Sequence, residues 1–158
     1  SSKVDHKKNL EEAVIEARKY SKDVIIEKAY NSAEYTVGIL KGEALQPLEI
    51  IAEDKDGFYD YEAKYNASAK TEHIIPVNIS RENFKKVNSI ALKAHKLLKC
   101  RGVSRSDFRF YNNKFYLLEL NTQPGMTSLS LVPEIANHQK ISFKRLIEEI
   151  MKDASINK

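Results

Sequence analysis

The chain has 158 residues, 42% of them hydrophobic and 30% charged, the balance of an ordinary soluble globular domain with a sizeable core. Lys and Arg number 26 against 22 Asp and Glu, a net charge of +4; that favours anionic ligands such as nucleotide phosphates, and with no basic run interleaved with aromatics no nucleic-acid partner is expected. No apolar stretch approaches a membrane span, the polar start SSKVDHKK has no signal-peptide pattern, and the one cysteine, Cys100, rules out an internal disulfide and fits a reducing compartment.

The first predicted element is a helix. Asn9 stands where a cap is needed, and Leu10, Ala13, Val14, Ala17 and Tyr20 recur at helical spacing. Glu11 and Glu12 suit its first turn, and Arg18 and Lys19 its last. A helix this close to the start, with no strand before it, predicts a piece of a longer protein. Residues 24–27 read as a short β-branched strand. Residues 34–40 (EYTVGIL) alternate as a strand, turn at Lys41-Gly42 and return over 45–52. Pro47 predicts an edge or a bulge there. Residues 54–70 (DKDGFYDYEAKYNASAK) have no sustained period, which predicts a functional or mobile loop.

Residues 72–77 read as a strand stopped near Pro76. Ser80 then caps a long helix with Phe84, Val87, Ile90, Ala91, Ala94, Leu97 and Leu98 on one face. Cys100, at the end of that helix, reads as a small core residue rather than a nucleophile. Residues 102–110 (GVSRSDFRF) and 116–121 predict a hairpin about Asn112-Asn113. After Pro124-Gly125, a short helix over 132–137 is entered through Pro133. Ser142 caps a last helix with Phe143, Leu146, Ile147 and Ile150 inward, and the tail frays from Asp153. Hairpin-linked strands predict a single α+β domain over 1–158, with a largely antiparallel sheet and helices packed on one side.

The chemistry concentrates in residues 116–131, YLLELNTQPGMTSLSL. Leu117 and Leu118 are expected to drive burial. Glu119 and Asn121 break the apolar run two positions apart, so a strand points both to one face. In a hairpin, Asp107 can join them from the neighbouring strand. Asp, Glu and Asn offer oxygen only, which suits a hard cation such as Mg²⁺ that keeps water and phosphate oxygens. The competing reading is a solvated sheet face that carries charges by chance.

The stretches VIIEKAYNSAEYTVGIL, GFYDYEAKY, SRSD and FYLLELNTQPGMTSLSLVP resemble the carboxyl-terminal, ATP-grasp part of the D-alanine–D-alanine ligases. The resemblance runs in order over most of the chain and implies the ATP-grasp carboxyl-terminal fold. It further implies that Asp107, Glu119 and Asn121 hold two Mg²⁺ ions (or Mn²⁺) on the phosphates of ATP, with Glu119 bridging, and that Arg105 steadies the transferred phosphoryl group. Gly125 would offer its N–H to a developing oxyanion, while Ser130 and Leu131 would bind the carboxylate of the second D-alanine. Lys64 would reach the phosphates, and Tyr65 is the loop tyrosine associated with dipeptide formation; a phenylalanine there goes with ligases that use D-lactate. Glu27, Lys28, Ala29 and Tyr30 would take adenine, and Glu34 the ribose. Without the resemblance, Arg105 reads as an ion-pair residue, Gly125 as a turn glycine and Ser130 as a helix cap.

The resemblance also implies a reaction: ATP-dependent joining of two D-alanines through an acyl phosphate, for peptidoglycan synthesis in a bacterial cytoplasm, by an enzyme that is a homodimer at full length. Another ATP-grasp carboxylate–amine ligase, or a non-catalytic nucleotide-binding module, are the alternatives. The chain departs from the family at Ser104, Ser106, Ala29 and Leu129. It also lacks the upstream region with the first substrate site and two ATP-binding lysines, so the isolated 158 residues are expected to be inactive.

Overall fold

A computed structural model describes residues 2–52 and 71–155. They belong to two compact units, Ser1–Asn31 and Ser32–Lys158. In the first, a 3₁₀ turn, Lys7–Asn9, passes into helix α1, Leu10–Arg18. Asn9 holds the cap position, but its side chain caps nothing. A capping side chain needs an extended backbone, and here the preceding turn keeps Asn9 helical, at φ −95° and ψ −3°. The strand predicted over 24–27 does not form, and Ile25 and Ile26 are exposed. Strand propensity expresses fit to a pleated, half-buried surface, and among the described residues this segment has no ladder partner.

The second unit is built on a sheet of β1 (Ala33–Leu40), β2 (Glu43–Ala44), β3 (Leu48–Ala52), β4 (Thr71–Ile74), β5 (Val103–Tyr111) and β6 (Lys114–Asn121). The order is β4-β3-β1-β5-β6 with β2 paired to β1, and every pairing is antiparallel, as predicted. Both two-residue turns place their residues in the left-handed region: Lys41 and Gly42 at φ 54° and 74°, Asn112 and Asn113 at 48° and 58°. That backbone matches the twist of the flanking strands. Pro47 is fully buried inside a bulge. Ile39 faces Ala44 and Thr36 faces Leu48, so the returning chain spends one residue more than β1.

Helices cover both faces of the sheet, not one. Tyr35, Val37 and Ile39 pack with Val87 and Ala91 of α2, Arg81–Leu97. Leu40, Leu48 and Ile50 pack with Leu131, Ile135 and Leu146 of α3 (Leu131–His138) and α4 (Phe143–Asp153). By alternation β1 gives Tyr35, Val37 and Ile39 to one side and Leu40, beside Leu48 and Ile50 of β3, to the other, so both sides carry apolar surface to cover. Ser80 caps α2 by accepting from Asn83 N at 3.1 Å, and Ser142 caps α4 by accepting from Arg145 N at 3.3 Å. Leu97 and Leu98 are exposed rather than inward. The buried stripe is Val87, Ala91, His95, and Leu97 lies about 200° around the helix from His95. Phe143 is exposed as well; a first-position side chain leans past the helix start.

Two serines of β5 behave oppositely. Ser104, buried, bonds His95 Nδ1 at 2.7 Å. Ser106 Oγ is buried with no hydrogen-bond partner among the described residues. We expect Ser104→Ala to cost about 1 kcal/mol and Ser106→Ala to be neutral or stabilising by up to about 1 kcal/mol in denaturant titrations. Burial first, and Lys96 second, hold His95 below its ordinary pKa. The unfolded chain therefore takes up the proton first. The His95 contribution to stability is complete above about pH 6.5 and declines as pH falls below it. His95→Asn should flatten that part of the stability–pH curve.

Candidate active site

The hairpin of β5 and β6 sets the site. Its register pairs Arg105 with Asn121 and Asp107 with Glu119, while β1 places Thr36 opposite Asp107. Residues directly opposite in an antiparallel ladder share a face. Phe108 pairs with Leu117, so β6 carries one extra residue, Leu118, at a bulge. Leu117 and Leu118 are 41% and 42% exposed, which corrects the expectation that they drive burial: among the described residues β6 is an edge strand, and the bulge disrupts its ladder at that point. The bulge precedes Glu119, so period two still holds from Glu119 to Asn121.

Arg105 grips Asp107 with a fork, Nε to Oδ1 at 3.0 Å and Nη2 to Oδ2 at 2.8 Å. Thr36 donates its hydroxyl to Asp107 Oδ1 at 2.6 Å. Arg105 Nη2 also lies 3.7 Å from Glu119 Oε1. The Asp107 side chain is 6% exposed and that of Glu119 56%, so one carboxylate is held rigidly and the other faces solvent. Asn121 Oδ1 accepts from Gln123 N at 2.8 Å and turns the chain out of the sheet. Among the described residues no three His, Cys, Asp or Glu side chains cluster as metal ligands. The set on this face is two carboxylates and one amide; its oxygen-only chemistry fits a hard cation that retains non-protein ligands.

Two residues further along the same face, Glu34 of β1 meets Arg109 of β5. The ion pair is 2.8 Å long with both side chains 10% exposed, and Arg109 Nη1 donates to Ser32 O at 2.6 Å. Neither Thr36 nor Arg109 was singled out from the sequence. Period-two spacing from Glu34 and from Asp107 is the signal that places both on this face.

The loop that follows β6 holds Gly125 and Ser130 together. A Cβ at Gly125 would lie 2.8 Å from Ser130 Oγ, so close approach, rather than a left-handed turn, requires glycine there. Ser130 precedes α3 with an extended backbone but does not cap it. Its Oγ accepts from Thr127 N at 3.0 Å and bonds Thr127 Oγ1 at 2.9 Å. Leu131 opens α3 and is buried. His73 of β4 holds Glu134 in the first turn of α3, Nδ1 to Oε2 at 2.7 Å, a tie between residues 61 apart in the chain.

Glu27, Lys28, Ala29 and Tyr30 lie in the first unit, outside any helix or strand, with Lys28 Nζ 5.3 Å from the Tyr30 ring centroid. Lys64 and Tyr65 fall outside the described residues. A groove of about 710 Å³, lined by Lys41, Lys96, Arg101 and Lys152 among others, shares no residue with the polar face.

A protein-family model described as D-ala D-ala ligase C-terminus matches residues 1–152. A curated relative from Pelagibacter ubique (strain HTCC1062), named D-alanine–D-alanine ligase, is 57% identical over 136 residues, covering 86% of this chain and 44% of the relative. Another of that name, from Agrobacterium fabrum, is 44% identical over 142 residues, with coverage of 86% and 45%. Among solved structures, a D-alanine–D-alanine ligase from Bacillus anthracis complexed with ATP matches with a TM-score of 0.80 at 30% identity, over 95% of this chain and 48% of that one. The chain spans about half the length of the relatives it matches.

Proposed function

Since the chain belongs to the D-alanine–D-alanine ligase family, as its carboxyl-terminal ATP-grasp portion, we propose that it carries the phosphoryl-transfer and acceptor half of an enzyme that joins two D-alanines at the expense of ATP. The observation that supports this most is the shared face of Arg105, Asp107, Glu119 and Asn121. Asp107, Glu119 and Asn121 are the residues that would hold Mg²⁺, whose chemistry is to neutralise charge on the phosphate oxygens. Arg105, whose Nε and Nη2 hold Asp107, brings its positive charge to the transferred phosphoryl group as the carboxylate of the first D-alanine becomes an acyl phosphate. The amine of the second D-alanine then attacks that acyl carbon and phosphate leaves.

Ser130 Oγ and the Leu131 N–H orient the carboxylate of the incoming D-alanine at the start of α3, and the Gly125 N–H faces the developing oxyanion. Glu34 accepts from the ribose hydroxyls; Glu27, Lys28, Ala29 and Tyr30 take adenine. Lys64 reaches the phosphates, and Tyr65 belongs with an amine acceptor rather than D-lactate. In this reading the full-length protein is a homodimer in a bacterial cytoplasm, and its product enters peptidoglycan synthesis.

The test is ADP release by the full-length protein with MgATP and D-alanine, with product analysis in the presence of D-alanine alone and with added D-lactate. D-Alanine-dependent turnover yielding D-alanyl-D-alanine is the expected result. A depsipeptide product would replace the acceptor assignment, and no turnover would remove the ligase reading. The 158-residue chain alone should not turn over, because reaction needs both substrates held in attack geometry.

A further inference from the structure

We propose that Arg109 is a positioning residue for nucleotide recognition: it fixes the Glu34 carboxylate so that the site discriminates a ribose from a deoxyribose. This rests on the reading of Glu34 as the ribose acid.

Glu34 and Arg109 face each other across the β1–β5 ladder, and both are buried. Their row lies two residues from the row of Thr36, Asp107 and Glu119 on the same face, a spacing of about 7 Å along the strands. A nucleotide with its phosphates at Asp107 and Glu119 therefore has Glu34 and Arg109 within one sugar's length. A carboxylate so buried is costly to keep ionised without a cation, and the ionised form offers both oxygens as acceptors to the two hydroxyls of a vicinal diol. Arg109 supplies the cation at 2.8 Å. It also cannot swing away easily, because Nη1 is anchored on Ser32 O at 2.6 Å. The anchor, the guanidinium and the carboxylate form one rigid chain running from the start of β1 to the sugar position. A carboxylate accepts at about four positions, so a guanidinium and a diol can share it. A purely structural ion pair would stabilise the sheet and have no bearing on which sugar is bound.

The experiment compares kcat/KM for ATP and 2′-deoxyATP in the full-length protein and its variants. The wild type should prefer ATP by about tenfold or more, the effect of a hydrogen bond to a charged group. Glu34→Gln should lose most of that preference. Arg109→Met should lose it to a similar extent, with KM for D-alanine unchanged. Arg109→Lys keeps a cation beside Glu34 but not the fork, so it should fold and fall in between. If Arg109→Met does not fold, the lysine variant decides alone. Preference retained in the Arg109 variants but lost in Glu34→Gln would overturn the role of Arg109 and leave the ribose acid standing. Equal use of both nucleotides by wild type and Glu34→Gln would remove the ribose acid, and the inference with it; absence of all turnover would remove both together with the ligase reading.

Discussion

Glu119→Gln is expected to lower ligase turnover of the full-length protein by about a thousandfold, the scale of losing one charged group aimed at the phosphates. The same change should leave stability within about 0.5 kcal/mol of wild type. The Glu119 side chain is more than half exposed, and its ion-pair contact with Arg105 is a long 3.7 Å; a pair so placed contributes little to folding. A carboxylate this exposed can be turned toward a ligand at little cost to folding. Asp107→Asn would not separate the effects, because Asp107 is buried between Arg105 and Thr36, and its neutralisation unbalances the sheet as well. Steady-state kinetics beside a thermal melt on Glu119→Gln makes the check. Turnover within tenfold of wild type would take Glu119 out of the phosphate site.

Gly125→Ala is expected to lower kcat/KM for the acceptor D-alanine by about a hundredfold, the cost of misplacing a substrate-orienting group by about 1 Å. The new methyl group would meet Ser130 Oγ at 2.8 Å, closer than real Cβ atoms come, while the next nearest atom, Ser130 Cβ, stands at an ordinary 3.5 Å. Ser130 Oγ must therefore leave Thr127, to which it is bonded twice. KM for ATP should hold. Adding Ser130→Ala removes the clashing oxygen, so the double variant should regain the stability that Gly125→Ala loses without regaining acceptor binding, a coupling visible in a double-mutant cycle. An unchanged acceptor KM in Gly125→Ala would mean that Ser130 does not touch the substrate.

At most positions where the deciding forces act within a few residues, the structure follows the sequence reading. Asn112-Asn113 and Lys41-Gly42 make the turns, Ser80 and Ser142 cap their helices, and Pro47 sits at a bulge. The face shared by Glu119 and Asn121 needs only the two-residue repeat of a strand. Asn9 shows the limit of such local signals, because a preceding turn had already set its backbone.

Residues 24–27 carry the composition of a strand and have no neighbour to pair with among the described residues, so the composition alone came to nothing. Leu117 and Leu118 carry the composition of a core and lie on an edge strand beside a bulge that only the register with β5 reveals. Thr36 and Arg109 became neighbours of Asp107 and Glu34 through the pairing of strands some seventy residues apart. The sequence by itself determined which oxygen-bearing side chains share a strand face, because backbone alternation is a property of the strand alone. The tertiary structure decided which of them are buried, which cation holds each carboxylate and which apolar residues stay outside, because strand register and helix packing are settled by the burial of distant segments against one another.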